Sequence, residues 1–114
     1  MAADPLQGDI WMADLDPSRG HEQAGKRPVL VISANDFNSS PAGLVVVAPI
    51  TSKSKGIRAH LPVEPGYTGL KTKSFIISEQ PRTISKARLG RRLGYISEPT
   101  MRELKMWLRV LLDL

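Results

Sequence analysis

The feature that most constrains this chain is a series of short apolar runs, rich in β-branched residues and separated by glycine- and proline-containing segments. Such a pattern is typical of a small antiparallel barrel or sandwich. Pro28–Ser33 (PVLVIS) is almost continuously apolar, as expected of a strand buried on both faces. The segments Asp16–Lys26 and Asn35–Gly43 are predicted to be loops. The predicted strands are Asp9–Leu15, Pro28–Ser33, Leu44–Ile50, His60–Glu64, Ser74–Ser78 and Arg91–Ile96.

The C-terminus changes to a helical period. Ser97 is the predicted N-cap, and Pro99 falls in the first turn, where its missing N–H costs nothing. One face is apolar, and core packing is the favoured role for it, ahead of a membrane or a partner. A short helical turn is also predicted at Ser85–Leu89. The apolar face consists of Met101, Leu104, Leu108 and Leu111, widened by Trp107 and Val110.

Length and composition set limits on the class of protein. The 114 residues fit one domain, 1–114, in which residues 1–7 are expected to be a flexible N-terminal segment. Cysteine is absent, which excludes disulfides and a thiol nucleophile and suits a reducing cytoplasm. No apolar run is long enough to span a membrane, and the first seven residues do not resemble a signal peptide. A cytoplasmic location is therefore expected.

Positive charge is concentrated in one part of the chain. The net charge is +5, but the stretch from Lys53 to Arg92 holds ten Lys/Arg and only two acids, a net charge of +8. This stretch favours an anionic partner, either nucleic acid or an acidic protein segment. A solvated basic surface without a partner explains the charge equally well.

Three clusters of residues could carry chemistry. The first is the loop Gly20–Pro28 (GHEQAGKRP), in which Arg27 precedes a buried strand and its guanidinium can donate two parallel N–H bonds to a phosphate. The second is at the end of a strand, where Thr51, Ser52, Lys53 and Lys55 could bind phosphate, although the hydroxyls could equally stabilise a turn.

The third cluster is Ser78–Thr83 (SEQPRT). Glu79 is almost alone among positive charges. It is expected either to pair with Arg82 or to accept hydrogen bonds from the edge of a base. Gln80 lies between them. His60, in a weak strand without a neighbouring motif, is interpreted as structural.

Taken together, these clusters resemble the MazF/PemK toxins. The opening run GDIW…DLDP…GHEQAGKRPVLV (Gly8–Val31), the strand end PITS (Pro49–Ser52) and the element EQPRTI (Glu79–Ile84) occur in the family's order and spacing. Three separate elements that agree are far more specific than one motif. The resemblance covers roughly residues 7–114.

The resemblance implies a mainly β fold with a C-terminal helix, an SH3-like (MazF/CcdB-like) small β-barrel that forms a homodimer. It implies a type II toxin that cleaves single-stranded RNA, including mRNA, at short sequences, and a cognate antitoxin with an acidic C-terminal segment. Arg27 and Thr51 correspond to the catalytic pair. His21, where relatives often have Ser, is a further catalytic or base-reading candidate. The residues expected to bind RNA are Glu22, Gln23, Lys26, Ser52, Lys53, Lys55, Glu79, Gln80 and Arg82.

RNA brings its own nucleophile, the 2′-OH, so that no cofactor and no metal are expected. Attack on the adjacent phosphate gives a 2′,3′-cyclic phosphate and a 5′-OH end. The sequence has no tight group of Asp, Glu and His residues that would indicate a metal. Because a guanidinium stays protonated near neutral pH, electrostatic stabilisation is the preferred role for Arg27.

Three other functions remain open at this level. A gyrase-binding toxin would share the fold but should lack the combination of Arg27 and Thr51 with Glu22 and Gln23. A plain nucleic-acid-binding module would present stacking aromatics, yet aromatics make up only 5% of the chain. An inactive relative of the nucleases is the third alternative.

Overall fold

A computed structural model describes residues 4–16, 20–21 and 25–114 of the protein. Seven strands and two helices follow one another, with a 3-10 turn at Lys86–Arg88. The strands are β1 (Asp9–Asp14), β2 (Lys26–Val31), β3 (Leu44–Thr51), β4 (His60–Val63), β5 (Ser74–Ile77), β6 (Arg82–Ser85) and β7 (Leu89–Tyr95). The helices are α1 (Asn35–Asn38) and α2 (Glu98–Leu112).

The strands form one antiparallel sheet in the order β4-β5-β3-β2-β1-β7, and β6 pairs with β3 beside this path. The mainly β fold with a C-terminal helix is therefore confirmed. All strands predicted from the sequence are present, as is the helical turn before β7. No helix among the described residues is long and apolar enough to cross a bilayer.

The sheet buries apolar side chains on both faces. On one face, Ile10, Leu30 and Ile50 join Leu104 of α2 in the larger core. On the other face, Val29, Val31 and Val47 pack with Leu15 and Ile84 in a smaller core. Val29, Leu30 and Val31 are completely buried, which confirms the prediction of a strand covered on both sides.

The long β4–β5 connection closes the sheet into a barrel by packing against β7, the strand at its opposite edge. Tyr95 N donates to Tyr67 O at 3.1 Å. A Cβ added to Gly69 would lie 2.1 Å from Leu93 O, and one added to Gly94 would lie 2.1 Å from Tyr67 O. Neither position can hold a side chain while the two backbones remain this close.

Helix α2 begins as predicted. Ser97 Oγ accepts from Thr100 N, and Pro99 lies in the first turn. Met101, Trp107 and Leu108 pack against the larger core around the fully buried Leu104. The predicted apolar face extends too far, however, because Val110 and Leu111 are 67% and 45% exposed. The last turn of the helix projects beyond the core that its earlier turns cover.

Two elements were not predicted. Helix α1 lies within the supposed loop Asn35–Gly43. Strand β6 pairs with Leu44–Val47 of β3 although, in it, only Ile84 is buried. Both are short and mostly polar, so that neither has enough apolar residues to establish a period.

The described part of the N-terminal segment makes several contacts. Gln7 Nε2 donates to Ile32 O at 2.9 Å, and Gln7 N donates to Asn35 Oδ1 at 2.8 Å. Lys86 Nζ donates to Asp4 Oδ1 at 2.9 Å. These bonds join residues 4–7 to α1, to the residue after β2 and to the 3-10 turn. The flexibility expected of residues 1–7 stays a prediction.

The substitution Gly94→Ala should destabilise the protein by about 1–3 kcal/mol, because the new methyl group overlaps the backbone of the β4–β5 connection. Urea unfolding gives the free energy. The matched control is Gly90→Ala on the same strand, where a Cβ meets its nearest neighbour, Met12 O, at an ordinary 3.5 Å. Equal stability of the two variants would contradict this account of barrel closure.

Candidate nucleic-acid interface

A cleft of about 590 Å³ lies where β2 begins and β3 ends, beside the β4–β5 connection. Arg27 and Thr51 both line it. The β2–β3 pairing ends with Val29 opposite Pro49, two residues after Arg27 and two residues before Thr51. At the end of β3, Thr51 pairs with Phe75 of β5. The structure thus brings together the two residues predicted to be catalytic.

Among the residues that the structure describes, five cationic side chains and no carboxylate line this cleft. The cations are Lys26, Arg27, Lys53, Lys71 and Arg91. Like charges this close repel one another, and an anion in the cleft removes that repulsion. The cleft is therefore suited to phosphate groups, which Arg binds through its fork and Lys binds as a point charge.

The hydroxyl of Thr51 has a defined orientation. Its Oγ1 accepts a hydrogen bond from Lys53 N at 3.2 Å, so that the threonine stabilises the turn after β3. The hydroxyl hydrogen is still available to donate to a ligand oxygen. Both interpretations of the threonine, as a turn residue and as a ligand-binding residue, are therefore compatible. Ser52 lines the same cleft, whereas Lys55 is exposed and lies outside the lining residues.

Two of the cleft's cations were missed as site residues. Lys71 comes from the β4–β5 connection and Arg91 from β7. Tyr95 N donates to Tyr67 O and Gly69 lies against Leu93, and this packing brings Lys71 and Arg91 to the lining of the same cleft. The sequence offered only their membership of the basic stretch, because the packing of this connection on β7 is a long-range feature.

Other predicted site residues lie elsewhere. His21, Gln80 and Arg82 line a second cavity of about 350 Å³, together with Leu15, Val47, Pro49 and Pro81. Gln80 Nε2 donates to His21 O at 3.4 Å. The two cavities have no lining residue in common. The structure therefore groups His21 with Gln80 and Arg82 rather than with Arg27 and Thr51. Glu22 and Gln23 lie outside the described residues.

Glu79 has a partner that the sequence did not indicate. His60 Nε2 donates to Glu79 Oε2 at 2.7 Å, and the imidazole is 5% exposed while the carboxylate side chain is 36% exposed. Buried polar groups without a partner are costly, and this bond satisfies one ring nitrogen of His60. The structural role assigned to His60 agrees with its burial. Glu79 lines a separate apolar cavity beside Trp107 of α2.

Among residues 4–16, 20–21 and 25–114, no three His, Cys, Asp or Glu side chains are grouped so that they could hold a metal ion. Among the described residues that line the cleft, none carries a carboxylate. The chemistry available in it consists of hydrogen-bond donors and fixed positive charge.

A small antiparallel barrel with a cation-lined cleft is typical of proteins that bind the phosphate chain of nucleic acids. The chain belongs to the family of PemK-like, MazF-like toxins of type II toxin–antitoxin systems, whose model matches residues 6–112.

Individual relatives agree with this membership. The chain is 42% identical over 103 residues to endoribonuclease PemK of Escherichia coli, across 89% of this chain and 77% of that protein. The crystal structure of MazF from Deinococcus radiodurans superposes with a TM-score of 0.85 at 26% identity, covering 99% of this chain and 100% of that one. A MazE–MazF structure from the same organism gives 0.80 at 26% identity, covering 99% of each chain.

The substitution Glu79→Ala should lower the free energy of unfolding by about 1–3 kcal/mol, because it leaves the buried imidazole of His60 without this acceptor. Glu64→Ala is the control. Glu64 pairs with Lys73 at 3.8 Å with both side chains more than half exposed, and such pairs contribute about 0–1 kcal/mol. Chemical denaturation of both variants measures the difference, and an equal loss would argue against a structural role for the pair.

Proposed function

We propose that the protein is a toxin that cleaves single-stranded RNA, without a metal, in the cleft that holds Arg27 and Thr51. The observation that carries this proposal is that Arg27 and Thr51 line one cleft together with four further cationic side chains. Family membership and a relative named as an endoribonuclease support it.

The proposed reaction uses the substrate's own 2′-OH. Its oxygen forms a bond to the adjacent phosphorus while the bond from phosphorus to the 5′ oxygen breaks. The 2′ proton is released and the leaving 5′ oxygen takes one up, which gives a 2′,3′-cyclic phosphate and a 5′-OH end. The protein's task is to align the 2′-OH with the leaving group and to stabilise the charge on the phosphorane.

Each group of the cleft has a role in this scheme. Arg27 donates two parallel N–H bonds to the non-bridging oxygens, and Thr51 donates its hydroxyl hydrogen to one of them. Lys53, Lys71 and Arg91 hold the neighbouring phosphates, which fixes the chain in register. Losing one donor to a developing oxyanion typically costs about 2.7–4 kcal/mol of transition-state stabilisation.

We also propose two protein partners. The first is an antitoxin whose acidic segment occupies the cationic cleft in place of RNA. The family's place in type II toxin–antitoxin systems and the MazE–MazF structure support this partner. The second is another copy of the chain, in a homodimer. The proposed site of action is the cytoplasm, in agreement with the absence of cysteine.

The direct test is incubation of the purified protein with a long single-stranded RNA in EDTA, followed by mapping of the ends. Discrete cuts with 5′-OH ends are expected. Arg27→Ala should reduce the rate by about two to three orders of magnitude, in line with the loss of one such donor. Thr51→Ala should reduce it less, because an uncharged donor is lost.

Lys105→Ala, on the exposed side of α2, is the control that should cut normally. Full activity of a folded Arg27→Ala protein would overturn the assignment of the site. If the wild-type protein leaves the RNA intact, a gyrase-binding toxin or an inactive relative would be the favoured function. Gyrase inhibition would then be assayed.

RNA binding should also depend on salt. Each phosphate neutralised on a single strand contributes about −0.7 to the slope of log K against log salt concentration. Lys71→Ala should make the slope less steep by about that amount, while Lys105→Ala should leave it unchanged. The slopes are measured with an RNA whose 2′-OH groups are methylated, so that it is bound but not cut. Identical slopes for the two variants would show that Lys71 does not contact a phosphate of the bound RNA.

A further inference from the structure

Two exposed tyrosines lie stacked on the outside of the barrel. The rings of Tyr67 and Tyr95 have centroids 5.0 Å apart and planes inclined by 27°. The two residues are 54% and 49% exposed. An aromatic pair held rigidly at the surface is a ready platform for a third flat ring.

The pair belongs to the same two segments that supply the cleft with Lys71 and Arg91. Tyr67 and Lys71 lie on the β4–β5 connection, and Tyr95 and Arg91 lie on β7. The two segments run antiparallel, with Tyr67 bonded to Tyr95 and Gly69 against Leu93. From Tyr95 to Arg91 the strand spans about 13 Å, a distance that a few nucleotides bridge.

Of the two tyrosines, Tyr67 is the one whose ring is proposed to stack with a ligand. Among the described residues, Tyr95 has two ring contacts, namely Tyr67 and the guanidinium carbon of Arg92, 5.7 Å from its centroid. Arg92 is itself held by Asp9, with Arg92 Nε 3.1 Å from Asp9 Oδ1. Tyr67 has one ring contact among the described residues, the one with Tyr95, and it is slightly the more exposed residue of the two.

From this geometry we infer that Tyr67 and Tyr95 form a base-stacking subsite for single-stranded RNA. The RNA runs from the Arg27–Thr51 cleft past Lys71 and Arg91, and one unpaired base stacks on the ring of Tyr67. This inference rests on the proposed function, because it takes the cleft to hold the phosphate chain. Stacking on an aromatic face tolerates any base, so the subsite adds affinity for unpaired strands rather than sequence preference.

The test combines protein variants with abasic RNA. The probe is a single-stranded oligonucleotide of 14 residues with 2′-O-methyl groups throughout, in which one base at a time is removed. For the wild-type protein, one abasic position outside the cleavage site should weaken binding about 5- to 150-fold, the range for one stacked base. In Tyr67→Ala the same abasic position should cost less than about twofold, because the stacking partner is already gone.

Two variants separate stacking from a merely structural role. Tyr67→Phe retains the ring and should retain the abasic penalty. Phe37→Ala removes a different exposed aromatic, on α1, and should show the same penalty as the wild-type protein. A structural role for Tyr67 would change the affinity for every probe alike and would leave the penalty in place.

The possible results divide clearly. RNA cleavage by the wild-type protein, with an abasic penalty that persists in Tyr67→Ala, would overturn the stacking subsite and leave the proposed nuclease intact. A change of oligomeric state in Tyr67→Ala, measured by light scattering, with an unchanged penalty would overturn it in favour of a contact between subunits. Failure of the wild-type protein both to cut and to bind single-stranded RNA would overturn the subsite and the proposed function together.

Discussion

The close approach of the β4–β5 connection to β7 is the constraint on which the rest of the molecule depends. It joins the two edges of the sheet and completes one wall of the cationic cleft. At Gly69 and Gly94 any side chain would lie 2.1 Å from a backbone oxygen, so two glycines allow the approach. The same packing brings Lys71 and Arg91 to the lining of one cleft and stacks Tyr67 on Tyr95. One local steric requirement therefore positions both the site's charge and its aromatic surface.

The sequence was most informative where burial is strong and the period is regular. Val29–Val31 could be recognised as buried on both faces because nothing polar interrupts it, and Ser97 could be recognised as an N-cap because capping is local. Strand β6 could not be recognised from the sequence, because it has one buried residue and depends on its pairing with β3. The overlong apolar face of α2 has a related cause: periodicity tells which side of a helix is apolar, not how far the core beneath it extends.

For the site, Arg27 and Thr51 were predicted as a pair because they match the catalytic pair of the MazF/PemK family. In the structure both residues line one cleft. The partner of Glu79 was not accessible in this way, since His60 is 19 residues away and belongs to a strand with little signal of its own. The sequence showed that Lys71 and Arg91 belong to the basic stretch, but it did not show that they line the same cleft. When a long connection packs against a distant strand, the residues that it brings together have no characteristic spacing in the sequence.

The cation-lined cleft links the stability of the fold to the binding of anions. Positive side chains that share one cleft repel one another, and a bound anion reduces this repulsion. Any anion that binds the native state alone shifts the folding equilibrium by mass action. A toxin held by an acidic inhibitor is thus also a toxin protected from unfolding. Binding of the proposed antitoxin would then inhibit the toxin and stabilise its folded state at the same time.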